Sequence, residues 1–241
     1  MTMLRSWIYT ICFLIWTVIA SVGGLPLLIT PAGALGLTRF WARGVMWLAR
    51  VVVNITYRVE GKEHIPKGGC IIAAQHQSSF ETYLLFIEVE KPVFVFKREI
   101  IWIPLVSWYV LRAGLVPINR GAGASAMRQM LRAAEAALER GSQILIFPEG
   151  TRTKPGGHTP YRPGVAGLYA HCRAPLIPMA LNSGYYWGKT RIRKDAGEIV
   201  FRFLPPIEPG LGKDELLKTL RDRIEQASAT LPKPAPVDPP A

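Results

Sequence analysis

The sequence predicts an α/β fold: a central, mixed and largely buried sheet flanked by helices, preceded by two apolar N-terminal helices. Three observations carry that expectation. From about residue 54 onward, short apolar runs alternate with helical patterns. Several of those runs are continuous rather than alternating, as in strands covered on both faces. The first 53 residues form a block of their own, with no acidic residue and four arginines. A chain of 241 residues is long enough for one domain with a full core and a short appendage.

The elements follow in order. Between Ser6 and Thr38 there is no Asp, Glu, Lys or Arg, and Trp7–Val22 is apolar on every face. A helix of about 20 residues is needed to span the hydrocarbon core, and this run approaches that length by continuing into Gly23, Gly24 and Pro26. A cleavable signal peptide is the alternative reading. The immediate return of hydrophobicity in LPLLIT and GVMWLARVVV argues against it. A second helix over Ala34–Val53 mixes Arg39, Arg43 and Arg50 with Trp41, Trp47 and aliphatic residues. That mixture suits an interfacial helix with its arginines toward lipid headgroups. Three arginines follow the apolar run and Arg5 precedes it, so the bulk of the chain is expected on the cytoplasmic side.

Strands are expected at Ile55–Val59, Cys70–Ala74, Val93–Phe96, Leu115–Ile118, Ile144–Phe147, Leu176–Leu181 and Ile199–Leu204. In Ala122–Arg140, Met127, Met130, Leu131, Ala134 and Leu138 make one stripe at helical spacing, and Gly141 supplies the stop. A further helix is expected over Lys213–Ser228. The expected organisation is residues 1–53 as membrane-embedded or interfacial helices, 54–230 as the main domain, and 231–241, with five prolines, as a disordered tail.

Composition narrows the partners. Hydrophobic residues make up 49% and charged ones 19%, while the net charge is +12. Such a charge fits nucleic acid, an anionic membrane or a phosphorylated substrate. No known nucleic-acid motif is present, and the aromatics gather in the apolar N-terminus, so nucleic acid is the least favoured. Cys12, Cys70 and Cys172 are an odd count without metal-ligand spacing, which reads as no disulfide framework and no metal site.

Two polar clusters stand at the ends of apolar strands. The first is His76-Gln-Ser-Ser-Phe-Glu81, after CIIAA. Histidine exchanges a proton near neutral pH, and a carboxylate on its other ring nitrogen fixes the tautomer. Taken alone, a strand-end histidine is more often a satisfied structural group. Ser78-x-x-Glu81 also reads as a helix capping box, a role that competes for the same carboxylate. The second cluster is Phe147-Pro-Glu-Gly-Thr-Arg152, where glycine permits a tight turn and the Arg152 fork suits phosphate.

Together these motifs resemble those of the glycerolipid acyltransferase family, over residues from about Arg58 to Leu204. His76 and Glu81 match its His-x4-acid block, with Glu where Asp is usual. Lys97, Gly114 and Arg120 match the second block, FPEGTR the third, and the strand around Pro178 the fourth. The resemblance implies an O-acyltransferase of phospholipid biosynthesis. Its reaction would move a fatty acyl chain from acyl-CoA or acyl-carrier protein to the sn-2 hydroxyl of 1-acyl-glycerol-3-phosphate (lysophosphatidic acid), with no further cofactor. It implies His76 as general base oriented by Glu81. Lys97, Arg120, Glu149, Gly150, Thr151 and Arg152 would form the substrate-binding set, with Glu149 bracing its loop. Membrane lipids are the expected partners and the membrane the expected location, with the catalytic domain facing the cytoplasm. Another lysolipid acceptor is the alternative, and a non-catalytic lipid-binding protein the remote one.

Overall fold

The computed structural model describes residues 2–97, 116–118, 123–157, 159–188 and 192–234. Two long helices open the chain, α1 (Thr2–Gly23) and α2 (Pro31–Val53), joined by a short 3-10 turn at Leu25–Ile29. The second begins three residues before the sequence pattern indicates. Thr30 accepts a hydrogen bond from the Gly33 amide and Pro31 occupies the first turn, so capping rather than hydrophobicity sets the start.

Strands β1 (Ile55–Glu60), β2 (Cys70–Ala74), β3 (Pro92–Lys97), β4 (Val116–Ile118), β5 (Gln143–Ile146), β6 (Leu176–Leu181) and β7 (Gly197–Phe203) lie within a residue or two of expectation. Helices α3 (Phe80–Glu88), α4 (Gly123–Glu139), α5 (Gly164–Cys172), α6 (Ser183–Tyr186) and α7 (Lys213–Ala229) connect or follow them. The sheet runs β1-β7-β6-β2-β5-β3-β4. From β6 to β4 all pairings are parallel; β7 meets β6 antiparallel and pairs with β1 in parallel. The sheet is therefore mixed, and the carboxyl ends of five strands share one edge. In open α/β sheets that edge is where ligands bind.

Both faces are covered, as the continuous apolar strands require. One face packs Ile72, Leu145 and Ile177 against α2 and α3 through Val45, Met46, Ala49 and Leu85. The other packs Ile71, Ile144 and Leu176 against α4, α5 and α7 through Met130, Ala134, Leu168 and Leu220. The predicted stripe of α4 is its core face.

The N-terminal helices differ from expectation in two respects. First, α1 is not solvated or lipid-facing all round. Tyr9 is buried with its ring 5.1 Å from Trp187, Phe13 packs on Trp41 and Tyr83, and the Trp16 indole donates to the Trp41 carbonyl at 2.9 Å. Gly44 makes room for that indole, since a Cβ there would come within 2.3 Å of it. Second, Arg39 does not face outward. It donates to the carbonyls of Phe86, Val89 and Glu90, capping the C-terminus of α3, whose last carbonyls lack helical partners. Arg43 and Arg50 are exposed. The outer surface of α1 carries Ile8, Ile11, Ile15, Val18, Ile19 and Val22 at helical spacing, all exposed, and α2 adds Phe40, Trp47 and Val51. Among the described residues α1 is the one helix long and apolar enough to cross a membrane.

At the other end, Leu231 is buried against Ala180 and Val200, and the Pro232 carbonyl accepts from Asn182 at 2.8 Å. The expected tail is thus docked at its first two residues; residues 235–241 lie outside the described part.

Candidate active site

Strand register brings the two polar clusters together. In the parallel β2–β5 pair Ala73 stands opposite Ile146, so His76 and Glu149 each lie three residues past that level. The His76 amide donates to Glu149 Oε2 at 2.8 Å, and the His76 carbonyl accepts from the Thr153 amide at 2.7 Å. The His76 ring stacks on Phe147, with centroids 4.1 Å apart and planes 16° from parallel. Its Nδ1 lies 2.9 Å from Glu81 Oε1. Backbone, ring face and ring edge are each held by a different group. With 19% of the side chain exposed, Nε2 has no hydrogen-bond partner among the described residues.

Glu81 is fully buried in the first turn of α3. Its Oε1 accepts from the Gln77 amide at 2.7 Å and the Ser78 amide at 2.6 Å, besides His76. Its Oε2 accepts from the hydroxyls of Ser78 at 2.5 Å and Ser183 at 2.9 Å. The expected competition between capping and orienting the histidine does not arise. The helix is capped at Ser79 without a side-chain cap, so the expected box does not form: the carboxylate bonds the Gln77 and Ser78 amides of the loop before it, while the Ser78 hydroxyl accepts from the Phe80 amide at 3.0 Å. Burial pushes the Glu81 carboxyl up, but the hydrogen bond and charge of His76, with the bonds from Ser78, outweigh it and hold the group below its ordinary value. An ionised Glu81 accepts only, so in the neutral form of His76 the bonded Nδ1 carries the proton and Nε2 the lone pair.

Glu149 is 2% exposed and bonds both polar loops. Besides the His76 amide it accepts from the Thr153 hydroxyl at 3.2 Å. Burial raises its carboxyl above the ordinary value; the bonds from His76 and Thr153 and the His76 charge offset only part of this, and the Glu81 charge adds to it. Gly150 has φ 69°, the left-handed region, which turns the chain so that its amide meets the Phe147 carbonyl at 3.0 Å. Thr151 is exposed and Arg152 half-buried, beside the histidine loop. Lys97 ends β3 on the same sheet edge, level with Ile118 of β4. Gly114 and Arg120 lie outside the described residues, as does His158. His171 is exposed and pairs with Glu135 at 3.3 Å, away from these clusters in the fold.

Ser183 is a site residue that the motif reading passed over, and Phe147, the first residue of FPEGTR, has a stacking role that the reading did not assign it. Ser183 follows β6, and its signal was available: like His76, it is a polar residue directly past a buried apolar strand. No ligand cluster of three His, Cys, Asp or Glu suited to a metal occurs among the described residues.

An α/β sheet carrying a carboxylate-braced histidine and an FPEGTR turn at neighbouring strand ends defines a class. The chain belongs to the acyltransferase family, whose model matches residues 56–182. Among its relatives, a 1-acyl-sn-glycerol-3-phosphate acyltransferase of Pseudomonas aeruginosa is 36% identical over 159 residues, 66% of this chain and 62% of that protein. A relative of the same name from Limnanthes douglasii is 27% identical over 212 residues, covering 86% of this chain and 75% of that one. The human 1-acyl-sn-glycerol-3-phosphate acyltransferase alpha is 27% identical over 187 residues, 76% and 65% of the two chains. The crystal structure of the 1-acyl-sn-glycerophosphate acyltransferase PlsC from Thermotoga maritima shares the fold, with a TM-score of 0.79 at 22% identity over 95% of this chain and 97% of that one.

Proposed function

We propose that the protein transfers a fatty acyl chain from a thioester, acyl-CoA or acyl-carrier protein, to the sn-2 hydroxyl of 1-acyl-glycerol-3-phosphate, yielding phosphatidic acid. The observation that carries the reading is that Nδ1 of His76 is committed to a buried carboxylate while Nε2 meets no hydrogen-bond partner among the described residues. In the proposed reaction Nε2 takes the hydroxyl proton as the oxygen attacks the thioester carbonyl. The carbon–sulfur bond then breaks, and the thiolate leaves with a proton returned from the imidazolium. Glu81 holds the ring and stabilises its transient positive charge. The donor is already activated, so no serine or cysteine nucleophile is required. Arg152, with Arg120 and Lys97, would hold the acceptor phosphate, in keeping with the +12 charge.

The membrane reading rests on the exposed apolar rows of α1 and α2. Since α1 packs Tyr9 and Phe13 against the α/β body, the proposed placement immerses this face in the cytoplasmic leaflet rather than threading α1 alone through both. The histidine loop would then stand near the surface where acceptor and product reside. Ile11→Lys with Ile15→Lys should reduce flotation with anionic liposomes several-fold without lowering the melting temperature; undiminished flotation would refute this placement.

The reaction itself is tested by thiol release from acyl-CoA across a panel of lysolipids. Wild type should turn over lysophosphatidic acid best. His76→Ala should lose about 10²- to 10⁴-fold, the usual contribution of a positioned base, while keeping its fold. Substantial turnover by that variant removes His76 as the base. A different preferred acceptor keeps the chemistry and replaces the substrate.

A further inference from the structure

Parallel β2–β6 pairing puts a third strand end into the site. Ala74 stands opposite Met179, so Ser78 and Ser183 both lie four residues past that level. Their hydroxyl oxygens are 3.0 Å apart and both residues are fully buried. The Ser183 hydroxyl is 2.9 Å from Glu81 Oε2, although the two residues are 102 apart in sequence. Among the described residues Ser183 makes no hydrogen bond to His76; whatever it does there passes through Glu81.

The chemistry of the carboxylate explains why such a group is needed. A glutamate side chain has three rotatable bonds, and Glu81 must hold Oε1 within reach of His76 Nδ1. The Oε1 side is fixed by two backbone amides from its own loop. The Oε2 side is fixed by Ser78, again from its own loop, and by Ser183 from across the sheet. The Ser78 hydroxyl is already engaged with the Phe80 amide as acceptor, so its proton is free for Glu81. Ser183 is therefore the one donor in this set that ties the carboxylate to a different strand of the rigid sheet. The loop around it is itself held: the Gly184 amide donates to Gln77 Oε1 at 2.9 Å, and Gln77 Nε2 donates to the Leu181 carbonyl at 3.2 Å. A donor aimed at a buried carboxylate from a fixed element sets its position without moving during reaction.

We infer that Ser183 is a positioning residue for the base: it fixes the Glu81 carboxylate from the end of β6, and through it the orientation of the His76 ring. The inference rests on the acyl-transfer reading of His76. It separates the site into a relay of three elements, with the end of β2 supplying the base, α3 its carboxylate and the end of β6 the anchor of that carboxylate.

The test is a double-mutant cycle in the thiol-release assay, with melting temperatures measured in parallel. Ser183→Ala should lower kcat about tenfold, with KM for lysophosphatidic acid within about twofold of wild type. Ser183→Thr, which keeps the hydroxyl, should recover most of that loss. In a Glu81→Gln background Ser183→Ala should cost less than about twofold, because the group it positions is gone. A kcat within about twofold of wild type for Ser183→Ala, or an equal loss in both backgrounds, overturns the inference. The underlying reading is checked separately in the same assay: turnover by His76→Ala rejects the base, whereas an inactive His76→Ala beside an unaffected Ser183→Ala rejects Ser183 alone.

Discussion

Glu81 and Glu149 are both buried carboxylates, each a few residues beyond the end of a neighbouring parallel strand, and their acidities are shifted in opposite directions. Glu81 accepts from two amides, two hydroxyls and an imidazole. Glu149 accepts from one amide and one hydroxyl. Desolvation opposes charge on both and the imidazole favours it on both, so the balance is decided by how many donors face the carboxylate, with the Glu81 charge a further opposing influence on Glu149. Equal burial has unequal consequences. The first group is held toward its ionised form next to the proposed base; the second bonds both loops, and its surroundings oppose its ionisation.

The largest effect that would break this contrast is on activity. Glu81→Gln should lower kcat about 10²-fold, since the neutral amide neither fixes the Nδ1–H tautomer nor stabilises an imidazolium. A loss confined to a few-fold would place Glu81 in the structural role that Glu149 has. Next is Gly150→Ala. The left-handed φ of 69° costs an alanine about 1 kcal/mol or more, so the variant should melt lower and bind acceptor more weakly through the displaced Arg152. An unchanged melting temperature would show that the turn relaxes freely.

The smallest effect is the most diagnostic, because the two carboxylates should give opposite slopes with pH. A lowered folded pKa contributes stability above the ordinary carboxylate range that is lost as pH falls through the folded value. A raised one has the reverse sense: folding is penalised as pH climbs from the ordinary value through the raised one. Relative to wild type, Glu81→Gln should therefore lose stability as pH rises toward the ordinary carboxylate range and stay level above it. Glu149→Gln should instead gain relative stability as pH rises above that range, with kcat within about threefold. Slopes of the same sign in thermal melts at a series of pH values, or a Glu81→Gln slope that persists above that range, would refute the assignment of opposite shifts.

Much of this molecule is legible residue by residue. Cys70–Ala74 and Leu176–Leu181 are strands with the expected bounds because an unbroken apolar run has few other places to go than a doubly covered sheet. The α4 stripe is likewise a local pattern that only one face can bury. His76, Glu81 and FPEGTR stand out because polar residues that follow such strands are held at a sheet edge. Less legible is Arg39, whose three carbonyl partners lie 47 to 51 residues away. Nothing near Arg39 in sequence separates a helix cap from a headgroup contact. The same holds for α1: its apolar character is plain, but the choice of Tyr9, Phe13 and Trp16 for the packed side depends on where Trp41, Tyr83 and Trp187 arrive.

By itself, then, the sequence determined the element types, the buried mixed sheet, the apolar N-terminus and the two clusters of chemistry, all through local periodicity and side-chain chemistry. Tertiary structure alone decided which strand ends became neighbours. Strand order and register set the three-residue offsets that join His76 to Glu149 and the four-residue offsets that join Ser78 to Ser183. Glu81 thus holds its own loop and the histidine through one oxygen, while its second oxygen is met by Ser78 and by Ser183, 102 positions away, and a hydrogen bond at that separation exists only once the sheet has closed the distance.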